Sequence, residues 1–216
     1  MNLFLRAKHW QIFLFTFGLP FLIEIIMIAN MMSHMFAELS RSSNPDPTSF
    51  FTFFKFFPVI MLVFMALIFG WNWSVAIGLQ KMLPPGIKMK TALFKVFFFF
   101  PMIYILFFCL FFAFSFVSIL STPAGGSPPP AFFIGFAVIF PLHLFAMFCM
   151  FYNIYFIAKT IKTVELQRLA TFSDFVGEFF LLWFFPIGVW FLQPKINKML
   201  KNYENGTPQV SMPNFS

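Results

Sequence analysis

The chain predicts an all-α membrane protein with four transmembrane helices, arranged as two tandem helical hairpins, and a C-terminal re-entrant or interfacial helix. Three observations carry this expectation. Of 216 residues 60% are apolar and only 10% charged, with 41 Phe. The apolar residues gather into four runs longer than the 20 or so that cross a hydrocarbon core of about 30 Å. Basic residues then alternate between the connections, as cytoplasmic and external loops do.

The first span covers about residues 10–32, behind Arg6 and Lys8. It contains Glu24, exceeds the 7–15 or so residues of a signal-peptide core and is followed by no small-residue cleavage site, so it reads as an uncleaved helix. Residues 33–49, with Asn44-Pro45-Asp46-Pro47, read as a polar turn. The second span is about 56–79 and the third 96–120; between them lie Lys81, Lys88, Lys90 and Lys95. The uncharged, helix-breaking stretch Ser-Thr-Pro-Ala-Gly-Gly-Ser-Pro-Pro-Pro (121–130) leads to a fourth span at about 131–158. Lys159, Lys162, Arg168, Lys195, Lys198 and Lys201 follow it. Only Arg41 and Lys55 fall on the opposite side, 2 Lys or Arg against 12, which puts both termini in the cytoplasm. Trp10, Trp71 and Trp73 lie where an interfacial aromatic belt belongs. Residues 1–201 then form one membrane domain, and the polar tail 202–216 has nothing to bury and reads as disordered. Its Asn205-Gly-Thr triplet falls on the cytoplasmic side and carries no weight as a glycosylation signal.

An offset of 81 aligns 10–81 on 91–162 without a gap. Pro20 meets Pro101, Pro47 meets Pro128, Asn72 meets Asn153 and Lys81 meets Lys162, among 10 identities over 72 positions. A Phe-rich composition supplies several of these, so the Pro and Asn matches carry the argument. A parallel repeat of two hairpins would place Pro20 and Pro101 as equivalent kinks. Asn72 and Asn153 would be equivalent helix–helix polar contacts, each worth roughly 0.6–2 kcal/mol.

The C-terminal box begins at Thr171-Phe-Ser-Asp174-Phe-Val-Gly-Glu178. Thr171, Ser173 or Asp174 can cap a helix there, and Asp174 and Glu178 suit its positive end. Pro186 and Gly188 interrupt the apolar stretch, and Pro194 discourages continuation. From Phe179 to Leu192 the uncharged length is about 21 Å at 1.5 Å per residue, short for a span. The reading is a re-entrant or interfacial segment at about 175–193, bending around Pro186 to Gly188. A fifth span starting at Phe175 competes, but it would carry Lys195, Lys198 and Lys201 outside.

This box, together with residues 153–165 (NIYFIAKTIKTVE), resembles an uncharacterised family of small bacterial polytopic membrane proteins. The resemblance implies an inner-membrane location and brings no activity, substrate or catalytic residue.

The chemistry-bearing residues are sparse. His9, His34 and His143 are far apart, and no His-Glu-x-x-His or Gly-x-Ser-x-Gly pattern occurs, so no catalytic residue, cofactor or metal site is expected. Cys109 and Cys149 sit in apolar runs, where a thiol is a small packing hydrophobe. The net charge of +7 flanks spans and reads as topology signals facing anionic lipid, not as nucleic-acid binding. Asp174 and Glu178 read as dipole partners before a cation site. Glu24 and His143 remain as a candidate intramembrane polar pair. Glu24 lies 14 residues from Trp10 and His143 lies 15 from Ala158, so both sit roughly 21–22.5 Å from the basic ends of their helices. The expectation is a non-enzymatic membrane subunit or lipid-associated protein whose partners are the bilayer and other membrane proteins. The alternative is a small proton-coupled transporter using Glu24 and His143.

Overall fold

Helices account for the architecture of the computed structural model, which describes residues 2–41, 57–120 and 130–206; no strand occurs among the described residues. In chain order they are α1 (Asn2–Arg6), α2 (His9–Phe13), a π-helical turn (Leu14–Gly18) running into α3 (Leu19–Arg41), α4 (Phe57–Gly78) prolonged by a 3-10 turn (Leu79–Met82), α5 (Thr91–Leu120), α6 (Pro130–Leu166), α7 (Phe172–Trp183) and α8 (Phe185–Glu204). Four stretches are long and apolar enough to cross a membrane: His9–Arg41, Ile60–Met82, Thr91–Phe112 and Phe133–Leu166. Two compact units result, one of Met1–Met89 with Ile154–Ser216 and one of Lys90–Asn153.

Two helices outrun their expected ends. The first continues to Arg41 instead of turning at 33, because its polar side chains bond back along the helix: Asn30 Nδ2 donates to the Ile26 carbonyl at 2.9 Å and Ser40 Oγ to Phe36 at 2.7 Å. The expected Asn-Pro-Asp-Pro turn, the 121–129 loop and the tail from 207 lie outside the described residues. The fourth helix continues past 158 to Leu166, since Ile157, Ala158, Ile161 and Val164 keep one face fully buried. It ends where Gln167 takes a left-handed φ of 51°, and the Gln167 amide caps the helix by donating to the Val164 carbonyl at 2.7 Å.

In the larger unit α1 packs on a small-residue face of α4. Gly70, Ser74 and Gly78 recur at four-residue spacing, the small-xxx-small pattern that lets helices approach. A Cβ at Gly70 would stand 3.0 Å from the Phe4 ring and one at Gly78 2.5 Å from Leu5 Cδ1. Leu5 is fully buried there.

The C-terminal segment, expected at about 175–193 with a bend, is a two-helix hairpin that runs from Phe172 to Glu204. The break falls at Phe184 (φ −92°, ψ 56°), two residues before the expected bend. Pro186 sits in the first turn of α8, where its missing N–H costs nothing. Gly188 lies inside α8 against α7, where any Cβ would collide with the Leu181 carbonyl. Pro194 does not end the helix, which runs to Glu204 and so takes in residues 202–204 of the expected tail. An interior proline costs roughly 3 kcal/mol. Val189 and Leu192 before it and Ile196, Met199 and Leu200 after it are all buried on α8, so ending the helix at Pro194 would give up packing on both sides of the proline.

Candidate functional site

Gln193, fully buried on α8, is heavily hydrogen-bonded. Its Oε1 accepts the Trp71 indole N–H at 2.8 Å. Its amide N–H groups are shared among the carbonyls of Ala7 (2.8 Å), Phe4 (3.0 Å) and Leu5 (3.2 Å) and Asn197 Oδ1 (3.1 Å). Asn197 Nδ2 donates to the same Ala7 carbonyl at 3.1 Å. A helix leaves its last carbonyls unpaired, so one glutamine ends α1 and fixes α8 and α4 around it. Trp71 also meets Phe185 edge-on at 4.9 Å, and Trp190 lies against His9 and Phe13.

A ring of alternating charge closes the base of the hairpin. Lys162 and Glu165 come from α6, Glu178 from α7 and Lys195 from α8. Lys195 Nζ is 2.6 Å from both Glu178 Oε1 and Glu165 Oε2, and Lys162 Nζ is 3.4 Å and 2.9 Å from the same two atoms. The approach to Glu178 is a directional hydrogen bond; that to Glu165 Oε2 lacks hydrogen-bond geometry, so those contacts are charge pairing. Asp174 is held apart from this ring. Its carboxylate takes a bidentate pair from Arg168, both contacts at 2.9 Å, and accepts the Thr171 N–H and hydroxyl at 2.8 Å. Arg168 first, then the Thr171 donors, hold the Asp174 carboxyl well below the usual carboxylate range. Asp174 and Glu178 therefore each face a cationic side chain, and they do not converge on an empty cation position. Among the described residues no cluster of three or more His, Cys, Asp or Glu could hold a metal.

Within the smaller unit the Tyr104 hydroxyl and His143 Nδ1 share a 3.0 Å hydrogen bond, although His143 itself is exposed. Glu24 belongs to the other unit and stands exposed on α3. Asn153 Nδ2 donates at 3.0 Å to the carbonyl of Phe97. That carbonyl lies four residues before Pro101, whose missing N–H leaves it without its usual helical partner, so Asn153 repairs the ladder that Pro101 opens. Around Pro20 the chain takes a different course. The π-helical turn precedes it, and Thr16 Oγ1 bonds back to the Ile12 carbonyl at 2.7 Å. Asn72 is half-buried on α4.

Several residues that carry polar contacts, Gln193, Tyr104, Lys162 and Lys195 among them, were not singled out as site residues by sequence. Gln193 sits beside Pro194 and resembles a chain-end residue. Tyr104 is a hydroxyl in a Phe run, three residues past Pro101, and that oddity was its available signal. Lys195 read as a topology charge and Lys162 as that and as a repeat match, although both are ion-paired.

Four apolar helices of spanning length among the described residues define a multi-pass helical membrane protein. No protein-family model, curated protein or solved structure matches the chain.

Proposed function

We propose that the protein is a non-enzymatic subunit or lipid-associated protein of a bacterial inner membrane, with both termini cytoplasmic, that works through its lateral surface. The observation that carries this reading is α3, a 23-residue apolar helix without one buried side chain. Phe21, Leu22, Ile25 and Ile28 are exposed along it and suit acyl chains. Glu24 is exposed on the same helix, and a charged group at a span centre costs roughly 2.5–3.5 kcal/mol unless it meets a polar partner. Lipid alone does not offer that; a neighbouring membrane helix does.

Native gel electrophoresis of the protein extracted mildly from its own membrane tests the reading. The expected result is a species larger than one chain that Glu24→Leu reduces in size. A species of single-chain size for both would contradict the subunit role. A second reading, proton-coupled transport, draws on the Tyr104–His143 hydrogen bond, which gives an intramembrane imidazole a proton-sharing partner. It predicts pH-driven uptake in proteoliposomes that His143→Asn abolishes without unfolding the protein.

A further inference from the structure

The α7–α8 hairpin combines an apolar tip, a charged base and a measurable depth. Phe180, Trp183, Phe184, Ile187 and Phe191 are all exposed around the turn. At the base lie the Lys162, Glu165, Glu178 and Lys195 ring and, beyond it, Asp174 with Arg168 on one arm and Lys198 and Lys201 on the other. The arms are antiparallel: Glu178 faces Lys195, and Leu181 faces Gly188 nearer the turn. From the ring to Phe184 the α7 arm adds six residues, about 9 Å, and the α8 arm from Phe185 to Pro194 about 15 Å.

A second, independent measure gives the same depth. Midway along its arm Trp190 meets His9 at 4.8 Å and Phe13 at 5.5 Å, both rings tilted, and near the tip Phe185 meets Phe17 at 5.9 Å. Phe17 is eight residues beyond His9, so the tip stands about 12 Å along the first spanning helix. That helix continues from there to Arg41, about 36 Å more. One leaflet of a hydrocarbon core of about 30 Å is roughly 15 Å deep.

We propose that α7–α8 is a single-leaflet wedge: it enters the bilayer from the basic side, buries its aromatic tip among the acyl chains of that leaflet alone, and returns to the same side. The charged ring stops it at the headgroups, because following the tip into hydrocarbon would part Glu178 and Lys195 from Lys162 and Glu165 and take the partly exposed Lys195 out of water. The occupant of the exposed aromatic face is the acyl-chain layer. Tryptophan beside a wholly apolar tip is the composition expected there. The wedge does not depend on what covers α3, so it can stand or fall independently of the proposed subunit role.

The test uses the full chain in proteoliposomes, with Cys109 and Cys149 replaced by Ala and one cysteine introduced at a time. Ser173→Cys and Lys198→Cys report the two arms through labelling by a membrane-impermeant maleimide. Phe184→Cys, with Ile187→Cys as a second tip position in case the first misfolds, carries a nitroxide whose collisions with oxygen and with a water-soluble nickel chelate are compared. The wedge predicts that Ser173→Cys and Lys198→Cys react from the same face, and that the tip nitroxide meets oxygen several-fold more readily than nickel. Reaction of the two arms from opposite faces would overturn it in favour of a fifth span. A tip equally open to nickel would overturn it in favour of a hairpin lying in water.

Discussion

Helices α3 and α8 belong to the same compact unit and are almost equally long, yet they are opposites. α3 is the more apolar and buries no side chain; α8 carries Gln193, Lys195, Asn197, Lys198 and Lys201 and buries eight residues. In water the apolar helix would be the core. In lipid, acyl chains solvate Leu or Phe as well as a neighbouring helix does, so apolar content stops predicting burial. Close backbone approach and polar pairing decide instead. Protein packs where Gly70, Ser74, Gly78 and Gly188 admit a neighbour and where Gln193 supplies hydrogen bonds; the rest of the apolar surface is left to the membrane.

The largest expected effect breaks that contrast at its centre. Gln193→Leu would orphan the Trp71 indole N–H and at least two carbonyls near the end of α1, at about 1–3 kcal/mol for each buried unsatisfied group. Thermal unfolding in detergent should show a loss of at least about 3 kcal/mol, whereas Ile25→Ala on α3 should stay within about 0.5 kcal/mol. Next in size is Gly188→Ala. The added methyl meets the Leu181 backbone carbonyl, which cannot swing aside as a side chain would, so the hairpin should lose about 1–3 kcal/mol and become open to protease at Phe184. Smaller again is Asn153→Ala, expected to cost roughly 0.6–2 kcal/mol by freeing the Phe97 carbonyl. Asn72→Ala should cost less, and equal losses would argue that the two proline helices are repaired alike. The smallest is a pH effect. Because the Asp174 carboxyl titrates lower in the folded chain than in the unfolded one, its contribution is full above the ordinary aspartate pKa of about 3.9 and fades as pH falls through the folded value. Asp174→Asn should therefore flatten the acid limb of an unfolding-versus-pH series below about pH 4 and lower stability throughout the neutral range.

The fold class was legible because hydrocarbon permits few alternatives: a long continuous apolar run is satisfied there as a helix, and four such runs, with Glu24 the one charge among them, stand out in this chain. Helix ends were less legible. Ser33 and Ser40 look like turn residues, but Ser40 bonds to its own helix, and Pro194 looks like a stop while the face around it is already packed. Pairing across the chain was hardest to read. Gln193 finds Trp71 across 122 positions and Leu5 across 188, and no local pattern announces either contact. The Gly70-x-x-x-Ser74-x-x-x-Gly78 spacing was the readable clue that α4 receives a helix. For Asn153 the sequence reading came nearest: a freed proline carbonyl and an interhelical asparagine were both expected, and the structure joins them in one hydrogen bond. Tyr104 as a neighbour of His143 follows from no spacing in the sequence.

The central claim is that polar pairing at Gln193, and not apolar content, holds the larger unit together. A double-mutant cycle between Trp71→Phe and Gln193→Leu, read as unfolding free energy in the same detergent, tests it most directly because the phenyl ring keeps an aromatic contact without the indole N–H and the cycle subtracts the packing lost with the smaller ring. The account predicts a coupling of at least about 0.5 kcal/mol between the two changes. Losses that simply add, within about 0.3 kcal/mol, would contradict it.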